Sequence, residues 1–188
     1  MHQKKIRVVA DECFLRFHPH YEKMSCKRFL KQYPNLLIVN AFTKFYAMAG
    51  LRLGYLMTGD LSLLHAVAQQ LPEWNVSSIA QRAGISALQD TEYEKRTRQL
   101  IEKERRYLIQ EFLKMGCTVF PSEADYITFR LPQEKTGFLL KERLLEGKIL
   151  IRSCANYRNM PPDCYRIAVK QHADNEELVR QVWRILIQ

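Results

Sequence analysis

The sequence predicts an α/β protein in two parts, and three observations support this. Short apolar runs alternate with helical patterns in the first half of the chain. One long helical pattern, from Thr91 to Met115, follows them. After Gly116 the chain returns to short β-prone runs with two more helical patterns between them, which is typical of a small α/β layer domain. We therefore expect a larger domain over residues 1–90, a connecting helix over 91–116 and a small domain over 117–188.

The first part contains three β-prone runs and two helical patterns. The runs are Ile6–Ala10, Leu36–Asn40 and Leu51–Met57. A helix is expected over Leu61–Leu71, where Pro72 would stop it because proline has no backbone N–H. A second helix should extend to Gln89, with Ser77 or Ser78 as its N-cap.

The long helix has an apolar face and a glycine at its expected end. The residues that share this face are Leu100, Ile101, Leu108 and Phe112. Gly116 can adopt the left-handed conformation that ends many helices.

The second part should contain four strands and two helices. The strands are expected over 117–120, 126–131, 149–153 and 165–170. The helices are expected over Thr136–Glu146 and Asn175–Ile187, with Asp174 capping the last.

Composition excludes several classes of protein. No apolar run reaches the ~18 residues of a membrane span, and the start lacks the apolar core of a signal peptide. We expect a cytoplasmic protein with no membrane partner. The five cysteines form no CxxC pair, so neither a disulfide framework nor a zinc site is expected. We interpret them as small buried hydrophobic residues.

The net charge of +9 raises the question of an anionic partner. The densest basic cluster is Lys103–Arg106, which lies among Glu102, Glu104 and Glu111 in the long helix. This mixture is typical of a solvated, salt-bridged face, so nucleic acid is not expected as a partner. Small phosphorylated ligands remain a candidate.

Polar residues stand where the predicted strands of the first part begin or end. Asp11 ends the first strand, Thr43 and Lys44 follow the second, and Arg52 lies at the third. Ligands of open α/β sheets bind near the carboxyl ends of strands. Alternative interpretations stay open for each residue: a cap or turn for Asp11, a surface lysine for Lys44 and an internal ion pair for Arg52.

Pyridoxal phosphate (PLP) is the cofactor that needs this set of side chains. It needs a lysine for a Schiff base, a carboxylate against its pyridinium nitrogen and donors for its phosphate. Lys44, Asp11 and Arg52 supply these three groups, and the guanidinium fork suits a phosphate dianion. Desolvation of Lys44 beside another cation would lower its pKa and make the amine a nucleophile.

The stretch TKFYAMAGLRLGY, from Thr43 to Tyr55, resembles the lysine motif of fold-type I PLP enzymes, the class I/II aminotransferase superfamily. The segments VVADECF and EWNVSSIAQRAG are similar to the strand of the pyridine-binding aspartate and to the segment that leads into the interdomain helix. The resemblance covers nearly the whole chain. It implies the C-terminal part of a PLP-transferase-like large domain with a mostly parallel sheet, followed by a small α/β domain. It also places Thr43 beside Lys44 in the cofactor site.

Two branches of the superfamily look most similar, threonine-phosphate decarboxylase of cobalamin biosynthesis and histidinol-phosphate aminotransferase. The segment ILIRSCANY, residues 149–157, looks like the decarboxylase. Both branches take phosphorylated substrates. The resemblance implies that Arg152 binds the substrate phosphate and that Arg166 binds the substrate carboxylate. The alternatives are a solvent-facing charge for Arg152 and an internal ion pair for Arg166.

The sequence departs from the family pattern in three respects. Phe14 stands where many relatives have a tyrosine, and Ala41 stands where many have a serine that binds the cofactor phosphate. Relatives are considerably longer at the N-terminus, so the resemblance implies a truncated chain that lacks a glycine-rich phosphate turn.

Three functional hypotheses follow. The first is a PLP-dependent decarboxylase of a phosphorylated amino acid, active as a homodimer. The second is a histidinol-phosphate-type aminotransferase. The third is an inactive remnant whose apolar faces drive self-association.

Overall fold

The computed structural model describes residues 6–135 and 139–187. The chain divides into two compact units, Met1–Thr97 and Arg98–Gln188, which are described separately below. The boundary between them falls within the long helix.

Unit 1 contains a three-stranded sheet in the order β1-β2-β3. Its strands are β1 (Val8–Asp11), β2 (Leu36–Ala41) and β3 (Gly54–Thr58). β1 and β2 are parallel, with Asp11 opposite Val39, whereas β2 and β3 are antiparallel, with Ala41 opposite Gly54. Because β3 runs in the opposite direction, it begins at the edge where β1 and β2 end. The three predicted strands are confirmed, although β3 begins three residues later than expected.

Three helices of unit 1 precede the long helix. They are α1 (Tyr21–Met24), α2 (Leu61–Gln70) and α3 (Ser78–Gln89). The Ser77 side chain accepts a hydrogen bond from the Ala80 N–H at 3.2 Å, which confirms Ser77 as an N-cap. α2 buries none of its residues among those described, and α3 buries only Ala80 and Gly84. Much of the apolar surface of these two helices is therefore exposed.

The long helix α4 (Thr91–Lys114) ends as the sequence predicts. Gly116 has φ +79°. Its N–H donates a hydrogen bond to the Leu113 carbonyl, and the Cys117 N–H donates one to the Phe112 carbonyl. This is the Schellman pattern of helix termination.

The face that α4 buries differs from the predicted one. Ile101, Leu108 and Phe112 are buried as expected, but Leu100 is exposed. Glu104 and Arg105 are buried, so the interpretation of this stretch as wholly solvated was wrong. The reason is helical periodicity, because Glu104 lies three residues after Ile101 and four before Leu108 and so shares their face.

Unit 2 contains a four-stranded antiparallel sheet in the order β4-β5-β7-β6. Its strands are β4 (Thr118–Phe120), β5 (Tyr126–Arg130), β6 (Arg152–Ser153) and β7 (Cys164–Ala168). The two helices are α5 (Leu140–Glu146) and α6 (His172–Ile187). The predicted start of α5 at Thr136 lies outside the described residues. Phe112 of α4 packs on Phe129 of β5, with ring centroids 4.3 Å apart, and both side chains are fully buried.

The last helix begins earlier than the sequence predicts. α6 starts at His172 and not at Asn175, so Asp174 lies in its first turn and is not the cap. Asn175 holds the preceding chain instead, because its side chain accepts from the Lys170 N–H at 3.1 Å and donates to the Lys170 carbonyl at 2.9 Å.

The buried Glu104 carboxylate has two partners on α6. Its Oε2 accepts a hydrogen bond from Asn175 Nδ2 at 3.0 Å and lies 3.0 Å from His172 Nδ1. Burial by itself raises the pKa of Glu104, but the bonds from Asn175 and His172 outweigh it, so the pKa lies below its ordinary value of 4.5. A carboxylate with a lowered pKa stabilises the folded state above pH 4.5, and this contribution is lost as the pH falls through the lowered value.

We expect Glu104→Gln to lower the free energy of unfolding at pH 7 by about 1.5–3 kcal/mol, because a charged hydrogen-bond acceptor becomes a neutral one. The difference from the wild type should shrink as the pH falls below 4.5. Urea unfolding at a series of pH values measures both effects. Glu102→Gln is the matched control, since Glu102 pairs with Arg106 on the exposed face of the same helix. An equal loss in both variants at pH 7 would contradict the prediction.

No helix within residues 6–135 and 139–187 is long and apolar enough to cross a bilayer. The cysteines are only partly as expected. Cys117, Cys154 and Cys164 are buried, whereas Cys13 and Cys26 are half-buried because they lie in the connections that follow β1 and α1.

Candidate functional site

The predicted cofactor residues lie at one edge of the unit 1 sheet. β1 ends at Asp11, β2 ends three residues before Lys44, and Arg52 precedes β3 by two residues. The register of the sheet places these three chain positions at the same edge, since Asp11 is opposite Val39 and Ala41 is opposite Gly54. The connection from residue 42 to 53, which holds both cations, is called the lysine loop below.

Asp11 is held as an anion. Its Oδ1 accepts a hydrogen bond from the Cys13 N–H at 3.0 Å. Hydrogen bonds from the Cys13 side chain and backbone lower the pKa of Asp11. Burial, together with the neighbouring Asp11 carboxylate, raises the pKa of the Cys13 thiol to about 11. At neutral pH this pair is therefore a carboxylate beside a neutral thiol.

The structure places Lys44 beside the segment that follows Asp11. Lys44 Nζ lies 5.6 Å from the centroid of the Phe14 ring, and its charge opposes the rise in the pKa of the Cys13 thiol. Cys13 therefore lies within electrostatic reach of both Asp11 and Lys44. Phe42 and Phe45, which flank Lys44 in the loop, are buried and anchor it.

The desolvation considered for Lys44 is not seen in this chain, because its side chain is exposed, as is that of Arg52. Among the described residues neither cation pairs with a carboxylate. The internal ion pair that was the alternative for Arg52 is thus not seen; Arg52 Nη1 donates instead to the Ala49 carbonyl at 3.1 Å. No described contact joins Arg52 to Lys44 or Asp11.

The lysine loop has two residues in the left-handed conformation, Ala47 and Arg52, each with φ 54°. This conformation costs a residue with a Cβ roughly 1–2 kcal/mol. Strained residues of this kind persist only where the surrounding structure holds them, and they are concentrated at functional sites.

The two departures from the family pattern are visible in the site. The Phe14 ring lies beside Lys44, but it has no hydroxyl to offer a ligand. Ala41 is the last residue of β2 and contributes no side-chain donor. Thr43 is half-buried in the turn that follows β2, one residue before Lys44.

The two predicted substrate arginines lie on neighbouring strands of unit 2. Arg152 of β6 and Arg166 of β7 are directly opposite each other in an antiparallel pair, so their side chains share one face of the sheet. Arg166 also has Thr128 of β5 opposite it. Ile127 of β5 and Ile167 of β7, which are opposite each other, are buried on the other face.

The guanidinium groups of this pair contact aromatic and amide groups. Arg166 Cζ lies 4.8 Å from the centroid of the Tyr126 ring, and Arg152 Nη2 donates to Asn156 Oδ1 at 3.2 Å. Within the described parts of the chain neither arginine forms an ion pair, so the alternative for Arg166 is not seen. Like charges directly opposite each other on a sheet repel, and an anion between them would remove that cost.

The sequence did not indicate four side chains that support the site. Cys13 contacts Asp11, and Tyr46 of the lysine loop bonds the side chains of Arg16 and Glu94. Glu94 lies 78 residues after Arg16 in the sequence, and a local sequence pattern cannot predict a contact between residues so far apart.

The chemistry of the unit 1 groups fits PLP. An exposed primary amine, a carboxylate with a lowered pKa and a guanidinium that pairs with no carboxylate among the described residues stand at one sheet edge. They match the aldehyde, the pyridinium nitrogen and the phosphate of PLP. This set of side chains is the one expected of the class of proteins that hold a phosphorylated aldehyde cofactor on an α/β sheet.

Comparison with known proteins agrees with this class. The family model of aminotransferase class I and II matches residues 1–182, and the chain belongs to that family. The family is the PLP-dependent aminotransferase and decarboxylase class.

Individual relatives belong to both branches. The threonine-phosphate decarboxylase of Salmonella typhimurium is 35% identical over 182 residues, which is 96% of this chain and 49% of that protein. The crystal structure of a histidinol-phosphate aminotransferase from Clostridium acetobutylicum is 31% identical, with a TM-score of 0.91 over 99% of this chain and 56% of that one. A complex of the Sinorhizobium meliloti histidinol-phosphate aminotransferase with pyridoxal-5'-phosphate is 22% identical, with a TM-score of 0.84 over 96% of this chain and 49% of that one, and this likeness shows the fold alone. The chain spans about half the length of the curated relatives it matches.

Proposed function

We propose that this chain belongs to a PLP-dependent enzyme that acts on a phosphorylated amino acid, most like threonine-phosphate decarboxylase. The observation that carries the proposal is the placement of Asp11 at the end of β1 and of Lys44 after the end of β2, at one edge of the sheet, with Lys44 Nζ 5.6 Å from the ring centroid of Phe14. An amine and a carboxylate of lowered pKa at one sheet edge are the two protein groups that PLP chemistry needs first.

Each residue of the unit 1 set has a proposed role. Lys44 binds the cofactor aldehyde and moves the proton at the substrate α-carbon. Asp11 keeps the ring nitrogen protonated, and its hydrogen bonds from Cys13 keep it ionised for that task. Arg52 and Thr43 bind the cofactor phosphate, Arg52 by its forked guanidinium. When bound, PLP supplies an electron sink for the charge that develops at the α-carbon.

The substrate class is proposed from the arginine pair of unit 2. Arg166 binds the substrate carboxylate and Arg152 binds the substrate phosphate. Two guanidinium groups on one sheet face, neither in an ion pair among the described residues, suit a ligand with two anionic groups.

A histidinol-phosphate-type aminotransferase is the second candidate, favoured by the 0.91 TM-score to a structure of that name. A self-associating remnant is the third. The apolar residues that α2, α3 and their connection leave exposed favour it, and Trp74 in that connection is 95% exposed. A homodimer would cover such a surface in either of the catalytic proposals as well.

The test is CO₂ release from L-threonine O-phosphate by the chain with PLP, with and without 2-oxoglutarate. Decarboxylation predicts CO₂ without the keto acid. L-Threonine without its phosphate should react roughly 10-fold to 100-fold more slowly, since one charged hydrogen bond is worth about 1.5–3 kcal/mol.

The alternatives give different outcomes. A strict requirement for 2-oxoglutarate, with no CO₂, would support the aminotransferase. Failure of borohydride to fix PLP on Lys44, together with a mass that rises with concentration, would support the remnant.

A further inference from the structure

The two residues that follow Lys44 are held by side chains from two other segments of unit 1. Tyr46 OH donates to Glu94 Oε1 at 2.6 Å and accepts from Arg16 Nη1 at 2.6 Å. Arg16 and Glu94 also form an ion pair. Arg16 lies in the turn five residues after Asp11, and Glu94 lies in the first turn of α4. These three residues, Arg16, Tyr46 and Glu94, are called the clamp below.

Further contacts extend the clamp to Phe45, the immediate neighbour of Lys44. Tyr93 OH donates to the Phe45 carbonyl at 3.0 Å. The Phe45 ring meets the Phe17 ring edge-on at 5.1 Å, and Arg16 Cζ lies 5.9 Å from the Phe45 centroid. Both residues after Lys44 are therefore fixed from the segment that follows Asp11 and from the start of α4.

The chemistry of the clamp is a poor choice for stability alone. Arg16 and Glu94 are largely buried, with side-chain exposures of 15% and 11%. The desolvation of a buried ion pair offsets most of its attraction, and apolar residues of similar volume often serve stability as well or better. What such a pair adds is a defined geometry. The strained loop at Ala47 and Arg52 needs a structure that holds it in place.

We propose that the clamp positions Lys44 relative to Asp11, with Arg16, Tyr46 and Glu94 as positioning residues. This inference rests on the proposed function, because it gives the clamp a task only if Lys44 and Asp11 serve one ligand. Arg16 lies five residues after Asp11, and Tyr46 lies two residues after Lys44. The hydrogen bond between Arg16 and Tyr46 therefore fixes the position of the Lys44 segment relative to the Asp11 segment.

The decisive variant is Arg16→Met/Glu94→Met, which removes both charges and keeps the side-chain volume. Covalent attachment of PLP to Lys44, fixed by borohydride and located by mass spectrometry, gives the half-saturating PLP concentration. We expect an increase of at least tenfold in this concentration, with the urea midpoint of unfolding kept within the wild-type range or raised. Tyr46→Phe, which removes one hydroxyl, should give a smaller increase in the same direction.

Glu92→Gln is the matched control. Glu92 lies in the same first turn of α4, and its described ion pair is an exposed one with Arg96, so its loss should change half-saturation less than twofold. A double variant that folds and saturates with PLP like the wild type would overturn the proposal.

A second readout separates failure of the clamp from failure of the proposed function. The acylation rate of the Lys44 amine, relative to that of the exposed Lys31, needs no cofactor. We expect it to change at least threefold in the double variant and not in Glu92→Gln. If the wild type attaches no PLP but this rate changes, the proposed function fails and the clamp stands. If the wild type attaches PLP and neither readout changes, the clamp fails and the proposed function stands.

Discussion

Lys44→Ala is expected to abolish the covalent attachment of PLP and the absorbance band near the visible edge. The reason is that no other described lysine stands beside Asp11 and Cys13 at the sheet edge. Turnover of threonine phosphate should fall by at least about 10²–10⁴-fold, which is the contribution of a positioned proton-transfer group alone. Absorbance titration and borohydride reduction followed by mass spectrometry measure the first effect, and CO₂ release measures the second.

Two further variants sharpen this result. Lys44→Arg keeps the positive charge but offers no amine, so it should bind PLP weakly and never covalently. Lys31→Ala removes an exposed lysine of the same unit and should behave as the wild type. Attachment of PLP to the Lys44→Ala protein with wild-type affinity would remove Lys44 from the site.

Phe129→Ala is expected to cost about 3–5 kcal/mol of the free energy of unfolding of unit 2. The Phe129 ring is fully buried, 4.3 Å from the Phe112 centroid and 5.9 Å from the Tyr165 centroid. Its loss leaves a cavity between α4 and the centre of the sheet. Since domains are stable by only about 5–15 kcal/mol, a large share of unit 2 molecules should unfold at moderate urea concentrations.

The measurement can be confined to unit 2. The chain has two tryptophans, Trp74 in unit 1 and Trp183 in α6 of unit 2. In a Trp74→Phe background the fluorescence of Trp183 reports on unit 2 alone. Leu113→Ala is the control, because Leu113 is exposed on α4 and its loss should cost about 0.5 kcal/mol or less. Equal costs for the two variants would show that Phe129 is not central to the core.

Much of the fold follows from local sequence signals. The strand around Ile38 is an uninterrupted apolar run, Ser77 caps a helix, and Gly116 supplies the positive φ that ends α4. These features depend on residues within a few positions of one another, which is why the sequence predicts them well.

The errors arise where a tertiary contact overrides the local signal. The residue type of Asp174 predicts a helix cap, but α6 begins two residues earlier, at His172. The Asn175 side chain bonds the backbone of Lys170 instead. Glu104 lies in a highly charged segment, yet it is buried because α6 supplies Asn175 and His172 as partners. These two partners lie 71 and 68 residues away from Glu104, so no short stretch of sequence contains Glu104 together with either of them.

The sequence proposes the residue types of the candidate site but not their environment. Residue type and spacing identify Lys44, Asp11 and Arg52 as candidates for a single ligand. Their exposure could not be read from the sequence, since apolar neighbours such as Phe42 and Phe45 are buried while Lys44 between them is not. The clamp was missed because its members come from three separate segments.

The strand register that places Arg152 opposite Arg166 gives the stability of unit 2 a possible dependence on anions in solution. The two residues are opposite each other only when the sheet is formed, so a multivalent anion that bound both would bind only the folded unit. By mass action such an anion favours the folded form over the unfolded chain. If the pair binds an oxyanion as proposed, the pairing of β6 with β7 and the binding of that anion are thermodynamically coupled.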